Sequence, residues 1–305
     1  MTAVVIFGGT GFLGRRLVRI LAAEGAAVRV AVRHPPQDET ILADAAHERV
    51  AFVRADVGDQ ASVAAAVAGA DAVVNAVSLY AEKGGLTFAA VHERGAETVA
   101  RESAAAGVAR FVLVSGIGAD PASPYPYIRA RGRGERAVQR AFPEATIVRP
   151  SAMFGPGDAL FAGLADIARL APALPLIGGG RTRLQPVYVE DVASAIARLL
   201  ADPGTAGRTY ELGGPAVYSL RELTEMTLRF SGRWRPLVPM PFAVAAILAR
   251  LLELLPSSPL TRGQVDILKA DNIAGDVLPG FAALGIQPRA VETMVPTYIC
   301  RSRPR

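Results

Sequence analysis

Short apolar runs alternate with longer amphipathic segments through the first half of the chain. The apolar runs are rich in valine and isoleucine, as expected for buried strands, and they cover residues 3–7, 28–32, 50–54, 72–76, 111–115 and 146–148. The amphipathic segments predict helices from the turn after the first strand to about residue 25 and over residues 62–67, 88–106 and 127–142. Strands alternating with helices predict an α/β fold, a Rossmann-type doubly wound parallel sheet with right-handed crossovers.

The alternation changes after Pro150, where prolines and glycines cluster and helices at about 159–170, 189–200 and 220–230 are separated by short strands. We therefore predict two domains. Residues 1–150 form the sheet domain, and residues 151–305 form a smaller, mostly helical C-terminal lobe that carries a substrate or docking surface. Residues 182–217 are expected to pack back onto the first domain.

A glycine-rich loop follows the first predicted strand and opens the first helix. It reads Gly8-Gly9-Thr10-Gly11-Phe12-Leu13-Gly14. Gly8 or Gly9 permits a tight turn, Gly11 lets the backbone approach a pyrophosphate, and Gly14 allows close packing of helix on strand. The helix N-terminus adds free N–H groups and the positive end of a dipole. The loop predicts a dinucleotide-binding site in residues 1–150.

The end of the second strand favours NADP(H) over NAD(H). NAD-binding proteins place an acidic residue there for the ribose hydroxyls, but this chain has Arg33 followed by His34. Arg33 could pair with a 2′-phosphate through a charge-assisted contact, and Arg15 and Arg16 could add to the same positive patch. The alternative is that these arginines are solvated surface residues.

Two further strand ends supply candidate cofactor contacts. Asp56 and Val57 follow the third strand, where a carboxylate could accept a hydrogen bond from the adenine amino group. Asn75 and Ala76 end the fourth strand beside the expected cleft. Each could also be an ordinary loop contact.

Composition excludes several other classes of site. The 305 residues include a single cysteine, Cys300, and three histidines, so neither a disulfide framework nor a multi-cysteine or histidine-based metal centre is expected. No secretion signal is evident, and the most apolar stretch, residues 242–255, contains Arg250 and Glu253 and is shorter than a membrane span. We expect a soluble cytoplasmic chain, at most peripheral on the inner face of the cell membrane.

The chain resembles extended or atypical short-chain dehydrogenases/reductases. Gly8, Thr10, Gly11 and Gly14 match the glycine motif of that superfamily. More specifically, it resembles bacterial relatives of the nucleotide-binding accessory subunit of respiratory complex I, alpha subcomplex subunit nine. The segments that carry this closer resemblance are residues 8–14, 113–120, 149–156, 175–180, 185–193 and 210–215.

The resemblance implies a Tyr-x-x-x-Lys catalytic pair and an upstream hydroxyl. The matching tyrosine is Tyr127, a candidate general acid/base, but Arg131 stands where the lysine belongs. Arginine keeps the positive charge but cannot act as a neutral proton relay. Ser115 ends the fifth strand one or two residues before the usual hydroxyl position. Arg131 could still hydrogen-bond the nicotinamide ribose, and Pro150 with the segment after it could contact the carboxamide.

The net charge and one apolar helix indicate which classes of partner the protein could bind. The net charge is +5, but only two of the 33 basic residues are lysines and the arginines are scattered, so no nucleic-acid partner is expected. The apolar residues of 242–255 are either core of the second lobe or a docking helix for a membrane face or a membrane-complex subunit. The basic tail, Arg301, Arg303 and Arg305, could add attraction to anionic lipid.

Two functions follow. The first is an NADP(H)-binding, dehydrogenase-like accessory or assembly protein of the quinone-linked respiratory machinery, with a structural cofactor and partners such as complex I or quinone-related proteins. The second is an active NAD(P)-dependent reductase or epimerase that acts on a small, isoprenoid or quinone-precursor substrate through Tyr127. Arg131 in place of the catalytic lysine favours the first function, the accessory or assembly protein.

Overall fold

The computed structural model describes residues 2–35, 47–254 and 260–299. Its main sheet has seven parallel strands in the order β11-β6-β5-β4-β1-β2-β3. The strands of the chain are β1 Ala3–Phe7, β2 Ala27–Val32, β3 Val50–Arg54, β4 Ala72–Asn75, β5 Arg110–Val114, β6 Thr146–Pro150, β7 Met153–Phe154, β8 Leu174–Ile177, β9 Arg183–Leu184, β10 Val187–Tyr188, β11 Thr209–Leu212, β12 Tyr218–Ser219 and β13 Leu237–Met240. This order confirms the predicted Rossmann-type sheet.

Helices cover both faces of that sheet. The helices are α1 Gly14–Ala23, α2 Gln60–Val67, α3 Ala96–Ala105, α4 Pro126–Ala141, α5 Phe161–Leu170, α6 Val189–Ala201, α7 Leu220–Ser231, α8 Phe242–Leu252, α9 Arg262–Ile267, α10 Val291–Met294 and α11 Pro296–Ile299. One core layer joins α1 and α6 to the sheet, and the other joins α2, α3 and α4 to its opposite face. The apolar strands are buried because both faces are covered.

The later chain adds to this sheet and also forms smaller units. Strand β11 pairs in parallel with β6, with Leu212 opposite Pro150, so residues 209–212 complete the sheet at its edge. The other late strands form three two-stranded sheets, β10-β7, β12-β9 and β13-β8. A separate core cluster, which includes Phe154, Phe161 and Leu223, holds α5, α7 and α10 together. The division at residue 150 remains a prediction.

One helix differs from its prediction. The expected continuous helix over 88–106 is a π-helical segment, Ala89–Gly95, followed by α3. Helix α4 approaches this segment so closely that a Cβ at Gly134 would collide with the carbonyl oxygen of His92. The contact needs a glycine inside α4, which an isolated helix disfavours by about 1 kcal/mol. Periodicity alone does not reveal such tertiary contacts.

Candidate functional site

The glycine loop, residues 8–14, is closely packed between β1, β4 and α1. Gly8 has φ +82°, and its carbonyl oxygen accepts a hydrogen bond from the Gly11 N–H at 3.0 Å. A Cβ on Gly8 would lie 2.8 Å from the carbonyl carbon of Ala76. A Cβ on Gly14 would lie 2.6 Å from the Gly9 Cα and would collide with the Gly8 carbonyl oxygen. The loop therefore accepts no side chain at Gly8 or Gly14.

The start of α1 suits the phosphates of a dinucleotide. Leu13 at the N-cap makes no side-chain capping bond, and the first turn contains no acidic residue. The first N–H groups of a helix generally lack an intrahelical acceptor and can bind an anion. In α1 the N–H groups of Arg15 and Arg16 already donate to the Gly11 and Leu13 carbonyl oxygens at 3.1 Å, so the groups that suit an anion are those that precede Arg15. Thr10 and Gly11 are exposed, whereas the Leu13 side chain lies in the core and can offer only its backbone. The residues present thus fit a bound pyrophosphate.

The guanidinium of Arg16 hydrogen-bonds backbone carbonyls of this protein and so does not form part of an open positive patch for the 2′-phosphate. Its guanidinium donates to the carbonyl oxygens of Phe12 at 2.5 Å and Pro156 at 2.7 Å, and lies 4.4 Å from the centroid of the Phe12 ring. Burial, with help from the charge of Arg15, lowers the pKa of this guanidinium. Arg16 thereby ties the glycine loop to the segment after β7.

The other candidate contacts lie where neighbouring parallel strands end, and so share one edge of the sheet. Arg33 is exposed after β2. Asp56, after β3, accepts a hydrogen bond on Oδ1 from the Gly58 N–H at 2.9 Å. The Val57 side chain packs tightly against Gly95, where an added Cβ would lie 2.8 Å from Val57 Cγ2. Ala76, after β4, donates its N–H to the Phe7 carbonyl oxygen at 2.9 Å.

Tyr127 is buried, with only 2% of its surface exposed. Its hydroxyl oxygen accepts a hydrogen bond from Arg131 Nη1 at 2.7 Å, and Arg131 Nη2 donates to the Ser115 carbonyl oxygen. The Tyr127 ring lies 5.7 Å from that of Tyr80, 5.4 Å from that of Phe88 and 5.5 Å from that of His92, between centroids. We call this group the Tyr127 cluster; its members are Tyr80, Phe88, His92, Tyr127 and Arg131.

Burial favours the neutral forms of Tyr127 and His92. It raises the pKa of Tyr127 well above its ordinary value of 10, and the nearby charge of Arg131 only partly offsets this. Burial and, to a smaller extent, the charge of Arg131 lower the pKa of His92 to about 4. The Nε2 atom of His92 lies 3.0 Å from the Leu79 carbonyl oxygen. The Tyr127 hydroxyl therefore holds its proton throughout the neutral range.

Ser115 lies beside the Tyr127 cluster but does not reach the tyrosine hydroxyl through any hydrogen bond that the structure shows. Its buried Oγ has no hydrogen-bond partner among the described residues. A cavity of about 10 Å³ lined by Asn75, His92, Ser115 and Arg131 adjoins it. That volume is at the lower limit for one water molecule.

Sequence reasoning missed three polar residues here. Ser78 hydrogen-bonds Tyr127 and helps to favour its ionised form; its position just after β4 was the available signal. Tyr80 stacks on Tyr127 although its sequence neighbourhood suggested no role. Asn272 accepts hydrogen bonds on Oδ1 from Ser151 Oγ at 2.7 Å and from the Ala152 N–H at 3.0 Å. Nothing in the sequence around Asn272 distinguishes it.

Pro150 lies at the end of β6, buried between the later chain and the loop after β5. Its carbonyl oxygen accepts a hydrogen bond from the Ile117 N–H at 3.2 Å. Asn272 also donates from Nδ2 to the Ile117 carbonyl oxygen at 3.3 Å.

The structure thus brings the predicted cofactor-binding residues to one edge of the sheet. They are the glycine loop, Arg33, Asp56, Val57, Ala76, Pro150 and the Tyr127–Arg131 pair. In the described part of the chain, no group of three or more His, Cys, Asp or Glu side chains could hold a metal.

Comparisons with known proteins agree with this geometry. Residues 8–203 match a family model described as NAD(P)H-binding. The chain is 35% identical to the Arabidopsis thaliana mitochondrial NADH dehydrogenase [ubiquinone] 1 alpha subcomplex subunit 9, over 94% of this chain and 74% of the relative. It is 32% identical to the Rattus norvegicus subunit 9, over 94% of this chain and 77% of the relative.

A bacterial relative and a solved structure complete the comparison. The chain is 36% identical to a ceramide reductase from Caulobacter vibrioides, over 66% of this chain and 61% of the relative. A dTDP-glucose 4,6-dehydratase from Streptomyces venezuelae, solved with NAD bound, shares the fold at a TM-score of 0.74 and 23% identity, covering 98% of this chain and 96% of that one. The protein therefore belongs to the NAD(P)H-binding family that includes the alpha subcomplex subunit 9 proteins of mitochondrial NADH dehydrogenase.

Proposed function

We propose that this protein is an NADP(H)-binding accessory or assembly protein of the quinone-linked respiratory machinery, in which the dinucleotide is a structural component. The observation that carries the proposal is the burial of Tyr127, whose hydroxyl is neutral and hydrogen-bonded to Arg131. A general acid/base needs a pKa near the working pH and access to the proton that it transfers. The Tyr127 cluster offers neither.

The sheet edge supplies the residues that would hold the dinucleotide. Backbone N–H groups of the glycine loop bind the pyrophosphate, with Gly8, Thr10, Gly11, Phe12, Leu13 and Gly14 shaping the turn. Arg33 pairs with the 2′-phosphate, which selects NADP(H) over NAD(H). Asp56 and Val57 contact the adenine, and Ala76, Arg131 and Pro150 contact the nicotinamide half. When bound, the nicotinamide supplies hydride-transfer chemistry.

A bound dinucleotide would stabilise the fold without turning over. A ligand that binds only the folded state raises the free energy of unfolding by about 4 kcal/mol at a thousand times its Kd. Such a cofactor would make non-covalent contacts with the glycine loop, the end of β2 and the end of β4 and would hold them together. It would thereby fix the edge of the sheet on which a partner could assemble.

The proposed partner is respiratory complex I or a quinone-related protein at the inner face of a bacterial membrane. The similarity to subunit 9 proteins spans almost the whole chain, which supports a shared accessory role. In the described part of the chain, no helix is long and apolar enough to cross a bilayer. Peripheral association through the second lobe is consistent with such a location.

Native mass spectrometry of the protein purified together with its membranes tests this function. We expect one NADP(H) per chain and co-purification of respiratory subunits. An Arg33→Ala variant, which changes an exposed side chain, should lose NADP(H) but still fold. Recovery of the protein without any dinucleotide, or without respiratory subunits, contradicts the proposal.

The second candidate function is an active NAD(P)-dependent reductase on a lipid-like or other small substrate. The similarity to a ceramide reductase favours it. In that function Tyr127 would exchange a proton with the substrate, which requires the Tyr127 cluster to open. Tyr127→Phe separates the two functions, because loss of a measured carbonyl reduction in that variant would establish the enzyme.

A further inference from the structure

Helix α8 buries two alanines and exposes several large apolar side chains. Ala245 and Ala249 are fully buried. On the outer side, Ile247 is 65% exposed and Leu251 60% exposed, and Leu254 in the following turn is also exposed. A helix that packs only onto a core has the reverse arrangement. Phe242 packs against the core cluster of Ala245 and Ala249, but Ile247 and Leu251 are not core, and these outer side chains favour the docking interpretation of this segment.

Exposed apolar side chains also occur on the segment that leads into α8 and on α5. Trp234 is 82% exposed, and Leu170 at the end of α5 is also exposed. Arg235 Nε donates to the Ala171 carbonyl oxygen at 2.9 Å, which brings the segments of Trp234 and Leu170 together. Strand β13 carries exposed Val238 and leads directly into α8. We call this surface the apolar face; it comprises Leu170, Trp234, Val238, Val244, Ile247, Leu248, Leu251 and Leu254.

Positive charge accompanies the apolar face. The two segments that form it, residues 160–174 and 229–254, contain five arginines and two acidic residues: Arg169, Arg229, Arg233, Arg235, Arg250, Asp166 and Glu253. Both acids are already in ion pairs, Asp166 with Arg169 at 3.4 Å and Glu253 with Arg262 at 2.7 Å. Arg250 lies one turn from Leu254 and so borders the exposed side of the helix. The segments that form the apolar face therefore carry more positive than negative charge.

We propose that the apolar face lies on an anionic lipid bilayer. The apolar side chains enter the boundary between headgroups and acyl chains, and the arginines bind lipid phosphates. Helix α8, with 11 residues, is too short to span a bilayer and lies parallel to its surface. Tryptophan is typical of this interface because its ring is both apolar and polar. The inference deepens the proposed function and rests on the part of it that places the chain at a membrane face.

The same charges argue against a second copy of the chain as the occupant. A two-fold dimer through the apolar face would bring the same patch of each copy together. The arginines of one face would then lie near those of the other, and among the five only Arg169 has an acidic partner in the described ion pairs, Asp166. Lipid phosphates instead supply the opposite charge to the remaining four.

Vesicle co-sedimentation of the purified full-length chain tests the proposal. We expect binding to phosphatidylcholine vesicles that contain 30% phosphatidylglycerol, weaker binding to phosphatidylcholine alone, and a decrease with added salt. The double variant Ile247→Ser, Leu251→Ser should lower the partition coefficient at least about tenfold, since each side chain loses its apolar burial. The matched control is Val277→Ser, because Val277 is 94% exposed but lies beside β11 at the edge of the main sheet.

Variants that remove positive charge measure how much the arginines contribute to vesicle binding. Arg233→Gln with Arg250→Gln should weaken binding to the anionic vesicles several-fold and leave the weak binding to phosphatidylcholine unchanged. Arg101→Gln, in α3 on the sheet domain, is the matched control and should change neither.

Equal binding by the wild type and the double apolar variant, or no vesicle binding at all, overturns the proposal. Light scattering that shows a dimer disrupted by the same double variant, without vesicle binding, would show that a second copy covers the face, and this too overturns it. The vesicle assay contains neither dinucleotide nor respiratory subunits. Its failure is therefore distinct from failure of the co-purification test.

Discussion

The glycine loop and the Tyr127 cluster lie along one edge of the same sheet, but they differ in what they leave accessible. In the loop, Thr10 and Gly11 are exposed, and neither an acid nor a capping side chain occupies the first turn of α1. In the cluster, Tyr127 is enclosed by aromatic rings and its hydroxyl is bound to Arg131. The structure thus leaves the glycine loop accessible to a ligand and buries the tyrosine in the core.

The glycine loop should be the more sensitive of the two regions to substitution. Gly14→Val places a side chain against the Gly8 carbonyl oxygen and the Gly9 Cα, so we expect the free energy of unfolding to fall by about 3 kcal/mol or more. Denaturant unfolding measures this change, and equilibrium dialysis should show that NADP(H) binding is lost.

The control for that variant is Gly163→Ala. Gly163 lies in α5 with no atom within 4 Å of its missing Cβ, so alanine should leave stability unchanged or raise it by about 0.5–1 kcal/mol. If Gly14→Val is as harmless as Gly163→Ala, the close packing of the loop is not needed.

The Tyr127 cluster should make stability depend on pH through His92. Its pKa is about 4 in the folded protein against 6.5 for an ordinary histidine, so as the pH falls the unfolded chain takes up the proton first. The His92 contribution is complete above about pH 6.5 and is lost between pH 6.5 and 4, a change of about 3 kcal/mol. Chemical denaturation at a series of pH values measures it.

Comparison with two histidine variants isolates this effect. His92→Gln should remove most of the slope between pH 6.5 and 4, whereas His34→Gln changes an exposed residue and should preserve it. An unchanged slope in His92→Gln would mean that His92 is not buried as a neutral ring.

Arg33 tests whether the accessible region discriminates between dinucleotides. Arg33→Ala should weaken NADPH binding by about 10- to 100-fold, because it removes a charge-assisted contact worth about 1.5–3 kcal/mol. NADH binding, followed by isothermal titration calorimetry in parallel, should change less than two-fold. Equal losses for both dinucleotides would contradict the NADP(H) preference.

Tyr127→Phe should have the smallest effect. It removes the acceptor of the Arg131 Nη1 hydrogen bond from a buried site, so we expect a stability loss of about 1–2 kcal/mol. The Kd for NADPH should stay within about two-fold, because the proposed phosphate contacts lie in the glycine loop and at Arg33. A large loss of NADPH affinity would show that the Tyr127 cluster contributes to cofactor binding together with the glycine loop.

The sheet was predictable from sequence because its strands are short, β-branched and regularly separated. The third strand, Val50–Arg54, has the predicted bounds. The glycine loop was equally visible, since only glycine tolerates the φ of +82° at Gly8 and the packing at Gly14. These features depend on residues that are close together in the chain.

Contacts between distant segments were not predictable. The π-helical segment packs closely against Gly134, some forty residues further along, and Asn272 hydrogen-bonds Ser151 across 121 positions. Arg16 was interpreted either as part of a positive patch for the cofactor or as a solvated surface residue, but its guanidinium binds the carbonyl oxygens of Phe12 and Pro156. The outward orientation of α8 was also undecided, because periodicity locates an apolar stripe without showing what it faces. The expected basic tail at residues 301–305 lies outside the described residues.

The central claim, a bound dinucleotide that does not turn over, is tested most directly by the fate of a deuterium label. The protein is loaded with NADPH deuterated at the nicotinamide C4 position transferred in reduction, and is incubated with its own membranes and a metabolite extract. Mass spectrometry of the released cofactor should then show the label retained, equally in the wild type and in Tyr127→Phe. Loss of label from the wild type together with retention in Tyr127→Phe would contradict the account and establish a working catalyst.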